Sequence, residues 1–201
     1  MVSFLLTTIL LLNPLVWATH PNARREIVAK TGYMLPTIPI DSKLTLDESF
    51  YLTDSPRRFD IIAVRRAFRN PGVPDEARMT IVARIIGLPG EIVAMRRGRV
   101  YINGRRIREP FPIMRCPRDV AEPFACGDMP AVRVPAGQFF LLADNRPESE
   151  DSRLWVPKTV PRSDVLGKIV RIVSPRDAQQ SLAADGAVAS FLSSLIHQVG
   201  C

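Results

Sequence analysis

A hydroxyl or thiol attacks a carbonyl only when a neighbouring base takes its proton, so the bases in a chain limit its chemistry. Histidine is nearly absent here: His20 and His197 stand at opposite ends of the 201 residues. A Ser-His-Asp triad is therefore not expected. With Cys116, Cys126 and Cys201 in no ligand-like spacing, a metal centre is not expected either, and no cofactor is implied. Lysine is the remaining candidate base. Only Lys30, Lys43, Lys158 and Lys168 exist among 27 basic residues, and none falls between Lys43 and Lys158. Arginine cannot substitute, because it stays protonated. Gly87-Leu88-Pro89-Gly90 lacks the Gly-Lys-Ser/Thr ending of a phosphate loop and reads as a turn between strands.

The elements that must position any such groups are short. From Ile61 onward the apolar runs "DIIAV", "TIVARIIGL", "EIVAM", "RVYING", "QFFLLA" and "VLGKIVRIV" are rich in β-branched residues and broken by Pro-Gly, Asn-Gly and Gly-Arg, which predicts strands. "MRRGRVYINGRRI" predicts a hairpin closed by Arg97-Gly98, then a second tight turn at Asn103-Gly104. No ten-residue helical periodicity occurs between residues 30 and 175. The body, residues 21–175, is therefore expected to be mainly β, with long loops at 65–79 and 109–132. Residues 176–201 favour helix with apolar positions at helical spacing, which predicts a short amphipathic C-terminal helix weakened by Gly186.

Residues 1–20 form a hydrophobic N-terminal segment. "SFLLTTILLLNPLVWA" is short for a spanning helix, which needs roughly 20 residues, and is interrupted by Asn13 and Pro14. It is long for a signal-peptide core, although Val16 and Ala18 suit a cleavage site before Thr19. Both readings bring the body to a membrane; a buried core helix is the third. No Lys or Arg precedes the segment, while Arg24, Arg25 and Lys30 follow it, so the positive-inside rule alone would keep the body in the cytoplasm. A misplaced start codon that trims a basic leader would remove that conflict. In an exported body a disulfide between Cys116 and Cys126 would close the loop "CPRDVAEPFAC"; otherwise the two are small hydrophobes. The net charge of +7 comes from arginines spread among the strands with no aromatic platform for bases, so nucleic acid is not expected as a partner.

Four stretches carry a sharper signal: "TGYMLPTI" (31–38), "RRFDIIAV" (57–64), "IVARIIGLPGEIV" (81–93) and "ADNRPESEDSR" (143–153). In this order, after an apolar segment, they resemble bacterial signal peptidase I, the membrane-anchored serine peptidase that removes signal peptides. The resemblance runs from the N-terminus to about Val173. It implies a large antiparallel β domain on the outer face of the cytoplasmic membrane, with exported chains or signal peptides as partners. It also assigns roles. Thr31 matches an oxyanion-binding hydroxyl, and Met34 and Pro36 belong to the Met-x-Pro-Thr turn of the cleft. Ser149 matches the serine that orients the family's lysine, and Arg84, Asp144, Asp151 and Arg153 match charges that brace the site. Ala143 replaces the family's usual glycine.

The chemistry is where the chain departs from that pattern. The family's nucleophilic serine falls on Tyr33 and its lysine base on Ala83. Alanine accepts no proton, and a phenol oxygen on a rigid ring stands well beyond the place of a serine oxygen, where a displacement of ~1 Å costs on the order of 100-fold. The ring is expected to block or reshape the groove. Two functional readings follow: a non-catalytic, extracytoplasmic, membrane-associated protein that binds exported chains or a partner, or a peptidase with relocated machinery in which Thr31 or Ser149 attacks.

Overall fold

In "KLTLD" leucines alternate with polar residues, and the outcome is a strand that buries Leu44 and Leu46 completely while Lys43 stays in solvent. The same alternation organises most of the chain in this computed structural model, which describes residues 23–67, 78–116 and 127–181. Strands β1 (Arg24–Val28) and β2 (Lys43–Asp47) precede a single turn of helix, α1 (Phe50–Thr53). Strands β3 (Ile61–Ala67), β4 (Arg78–Gly87), β5 (Ile92–Arg96), β6 (Arg99–Ile102) and β7 (Arg105–Arg106) follow. The last are β8 (Met129–Arg133), β9 (Gln138–Leu142), β10 (Val160–Pro161) and β11 (Val165–Val173), the final pair joined by a 3-10 turn. A helix over 175–181 begins the tail.

These strands form two antiparallel sheets among the described residues. The larger has the order β1-β2-β11-β3-β4-β9-β10 and the smaller β7-β6-β5-β8. The mainly β expectation holds, and both tight turns fall where the sequence puts them. Arg97 and Gly98 adopt φ of 49° and 66°, and Asn103 and Gly104 φ of 50° and 78°, the left-handed pairs that two-residue hairpins require. The expected loops are shorter than the sequence implied. β3 continues through Ala67, β4 already begins at Arg78, and β8 occupies part of the expected 109–132 loop. The hydrophobic segment 1–20, Cys126 and most of the tail lie outside the described residues, and among the described ones no helix is long and apolar enough to cross a membrane. Cys116 is disulfide-bonded.

β4 connects the cores. Its Ile81, Ala83 and Ile85 face a cluster with Tyr51, Ile62, Leu141 and Trp155. On its other face Ile86 joins Phe140 and Leu142 against Val93, Met95 and Val100 of the small sheet. A third cluster seats Met34 and Ile38 on Leu44, Leu46, Ala63 and Ala143. Tyr51 closes the first cluster by donating to Asp60 Oδ2 at 2.8 Å. Burial, and then that carboxylate, push its phenol pKa well above the ordinary value, so it remains a donor. At the edge, Asp47 accepts from Arg24 Nε at 3.0 Å and from Ser49 Oγ at 2.8 Å. Burial raises its pKa, but these partners outweigh burial and hold the carboxyl below its usual range.

The register of β11 shifts between Val165 and Gly167. There the chain approaches β2 so closely that a Cβ on Gly167 would lie 2.3 Å from Asp47 O and 2.8 Å from Glu48 Cα. Both are backbone atoms and cannot yield independently. Gly167→Ala should therefore cost about 1–3 kcal/mol and lower Tm by roughly 5 °C; thermal denaturation followed by circular dichroism checks it, and an unchanged Tm would contradict this close approach.

Candidate functional site

The turn after β1 and the loop after β9 lie more than a hundred residues apart, and hydrogen bonds fasten them together. Within the turn, Leu35 N donates to Gly32 O at 3.1 Å and Ile38 N to Met34 O at 2.8 Å, around a cis Leu35–Pro36 peptide. The loop takes hold of it through Asn145, whose backbone N donates to Tyr33 O at 2.9 Å and whose Nδ2 donates to Gly32 O at 3.0 Å. Ser149 Oγ donates toward Asn145 O at 2.5 Å and Tyr33 O at 3.2 Å.

Two buried carboxylates hold the loop itself. Asp144 accepts Arg84 Nε at 2.9 Å and Nη2 at 2.5 Å, and Thr37 Oγ1 at 2.5 Å. Arg84 gives its remaining terminal nitrogen to Phe59 O at 2.9 Å and lies 3.8 Å from the Phe111 ring centroid. At the far end Asp151 accepts Arg153 Nε at 2.7 Å and Nη2 at 2.8 Å, and also takes the Ala143 N–H at 3.1 Å. Asp144 and Asp151 are at most 1% exposed. A charge so buried persists only when it is paired and hydrogen-bonded, as both are. The segment before Cys116 adds a strap. Met114 N donates to Asp144 O, Arg146 N to Met114 O, and Arg146 pairs with Glu109 out of solvent.

Beside this junction lies a groove of about 440 Å³ between β1 with its turn and the outer half of β4. Val28, Thr31, Tyr33, Met34, Val82 and Glu150 are among its lining residues. Its walls are mostly aliphatic, and its volume is that of a site for a few side chains. Tyr33 is half-buried and is among the residues that line the groove. Thr31 is exposed on it and Met34 is buried beneath it. Pro36 is exposed and does not line it. Ala83 is 1% exposed, within the cluster around Ile62, Ile81, Leu141 and Trp155, and does not line the groove either. The structure brings Arg84, Asp144, Ser149, Asp151 and Arg153, each singled out in the sequence, together in one junction where they are buried. Sequence reasoning missed Thr37, although the quoted Met-x-Pro-Thr turn contains it, and it missed Glu109 and Phe111, for which no local signal exists.

Among the described residues no lysine is hydrogen-bonded to a side-chain hydroxyl, although Lys30 lines the groove together with Thr31 and Tyr33. Lys30 pairs with Asp41 at 2.8 Å in solvent, Lys168 pairs with Asp60 at 2.8 Å, Lys158 donates to Arg153 O, and Lys43 is exposed on β2. Ser149 Oγ is directed at backbone carbonyls.

Residues 2–174 match the family described as "Signal peptidase, peptidase S26". Among similar curated proteins, "Signal peptidase I" of Leptolyngbya laminosa is 34% identical over 155 residues, covering 73% of this chain and 69% of its own length. "Probable signal peptidase I-2" of Synechocystis sp. is 34% identical over 152 residues, covering 72% of this chain and 62% of its own. The chain thus spans about two thirds of the length of these relatives. The crystal structure of a signal peptidase I from Enterococcus faecalis V583 is 32% identical and covers 58% of this chain and 98% of its own, with a TM-score of 0.43.

Removing the buried carboxylate should show how much the junction depends on it. Asp144→Ala leaves the Arg84 guanidinium buried without a counter-charge and should cost about 3–5 kcal/mol, a Tm fall on the order of 10 °C. Glu48→Ala, which deletes the solvent-exposed pair with Arg25, should cost less than about 1 kcal/mol. Thermal denaturation of the two variants side by side reads the contrast, and equal losses would contradict the burial argument.

Proposed function

Since the chain belongs to the signal peptidase family, peptidase S26, we propose that it uses that scaffold to hold an exported chain or signal peptide in the groove without cutting it. On this reading Tyr33 stands at the family's nucleophile position and Ala83 at its base position, and the protein works on the extracytoplasmic side of a membrane. The observation that carries the reading is the whereabouts of the lysines: each of the four is in solvent, paired with a carboxylate, or bound to a backbone carbonyl. No lysine is hydrogen-bonded to a serine or threonine hydroxyl to take its proton. The alternative, relocated chemistry at Thr31 or Ser149, is disfavoured because Lys30, beside Thr31 on the groove, is paired with Asp41, and Ser149 is 2% exposed with its hydroxyl on backbone carbonyls.

The surroundings of Ala83 make the loss specific. Ile62, Ile81, Leu141 and Trp155 share its cluster, and an amine planted among such side chains would be desolvated and its pKa driven down toward neutrality. That is the condition under which lysine serves as a general base. The apolar sheath suited to a catalytic lysine is kept around a residue with no amine.

The full chain in detergent micelles is expected to leave a fluorescent signal-peptide substrate uncut while binding it, with anisotropy reporting the binding. Tyr33→Ser together with Ala83→Lys should introduce cleavage at the site a genuine signal peptidase uses. Cleavage by the wild-type chain above a no-enzyme control would overturn the reading, and so would its abolition by Thr31→Ala or Ser149→Ala.

A further inference from the structure

The small sheet carries charge that neither the groove nor the bracing junction uses. Residues 92–108 contain six arginines and no acidic residue. Strand alternation sorts them by face. Val93, Met95, Val100 and Ile102 are buried against Phe140 and Leu142, so Arg96 of β5, and Arg99 and Tyr101 of β6, stand on the opposite, solvent face. Arg106 is opposite Tyr101 on β7, and Arg133 is opposite Ile92 on β8, which puts both on that same face. The four guanidiniums therefore share a patch on the order of 15 Å across, set by about 4.8 Å between neighbouring strands.

Among the described residues no carboxylate pairs with this patch. Arg24, Arg25, Arg57, Arg58, Arg84 and Arg146 each pair with a carboxylate of another residue. Arg96, Arg99, Arg106 and Arg133 have no ion pair among the described residues. The nearest acids among the described residues are engaged: Glu91 by Arg58 at 2.5 Å, Glu109 by Arg146, and Asp128 by the Arg97 N–H at 2.6 Å. Arg96 and Arg99 are directly opposed across β5 and β6, a pairing of like charges that destabilises a sheet. The Arg96 guanidinium also lies 5.5 Å from the Tyr101 ring centroid, above the middle strand. The fold tolerates a repulsion that an anionic partner would relieve.

We propose that this face is a docking surface for a carboxylate-rich protein segment. The guanidinium fork matches a carboxylate in two parallel hydrogen bonds, and four forks on a rigid sheet suit a run of Asp or Glu side chains. A lipid surface fits less well. Among the described residues the exposed large hydrophobics are Val28, Ile40, Leu52, Met79, Met114, Leu154, Val156 and Val170, none of them on this sheet, so its described face offers no side chain of this kind to acyl chains. A nucleic acid fits less well too, since one tyrosine offers no series of stacking platforms. None of the four arginines lines the groove, and the role of this surface stands whether or not the groove binds or cuts a chain.

The test is fluorescence anisotropy of a labelled 20-residue poly-L-glutamate against the full chain in nonionic detergent at 50 and 150 mM salt. Wild type should bind saturably, more weakly at the higher salt. Replacing Arg96, Arg99, Arg106 and Arg133 by Gln should weaken binding by about tenfold. The charge-matched control, with Gln at the exposed Arg65, Arg115, Arg171 and Arg176, should change it by less than about threefold. Tm of the first variant should not fall, because opposed like charges have been removed. If it does fall, the edge-strand double Arg106→Gln, Arg133→Gln supplies the affinity comparison, with a loss of about threefold expected. Equal losses in the patch and control variants would overturn the proposal, as would absence of saturable binding by wild type. Tighter, patch-dependent binding of a 20-base-pair duplex DNA or of phosphatidylglycerol vesicles at matched salt would overturn it as well.

Discussion

Asp144 is a negative charge with no access to water, and a carboxylate in that position survives only if protein groups replace the solvent it has lost. Its partners come from distant parts of the chain: Arg84 from the middle of β4 and Thr37 from the end of the turn after β1. One atom group thereby fixes a central strand, a turn and the start of the site loop relative to one another. Asp151 and Arg153 repeat the device at the other end of the loop. Neither network touches the side chain of residue 33 or of residue 83. The geometry of the junction is therefore independent of the proton-transfer chemistry such a junction can carry, and the chemistry can be lost without loss of shape.

The sequence shows the strands that are apolar on both faces or strictly alternating, and hides the others for definite reasons. β9 reads as "QFFLLA" because both its faces are covered. β1 does not stand out: it is an edge strand with most positions exposed, so its residues need no pattern. β8, "MPAVR", is also an edge strand and contains a proline, which a central strand would exclude. At the site, motif spacing identified the charged residues but not their burial, because burial depends on the strap formed by Glu109, Phe111 and Met114. That strap contacts the site loop from more than thirty residues away, and no local pattern encodes such a contact. The register shift at Gly167 is invisible for the same reason: it answers to the backbone of Asp47, not to its own neighbours.

On the proposed reading, in which Tyr33 and Ala83 stand at the family's nucleophile and base positions, the two departures differ physically. Alanine at 83 removes a difficulty: a lysine amine among Ile62, Ile81, Leu141 and Trp155 would have to surrender its hydration, and a methyl group loses nothing by being there. Tyrosine at 33 adds surface instead. Its ring extends the apolar wall of the groove while its backbone carbonyl keeps the bonds from Asn145 and Ser149 that any residue could accept. On that reading one change relaxes a constraint that only catalysis imposes, the other enlarges contact area, and together they would favour complementarity with a bound chain over complementarity with a transition state.

Arginine serves two opposed purposes in this fold, and burial separates them. Arg84, Arg146 and Arg153 are sequestered and matched to carboxylates, so they contribute shape but almost no external field. Among the described residues Arg96, Arg99, Arg106 and Arg133 of the small sheet have no ion pair and lie on its solvent face, so they contribute field but little shape. Net charge therefore says little about recognition until each guanidinium is assigned to one group or the other. An even reading of the sequence, in which arginines seem spread through the strands, conceals this division. Only strand register shows that four of them occupy a single face, where mutual repulsion at low salt works against the sheet and complementary carboxylates would reverse its sign.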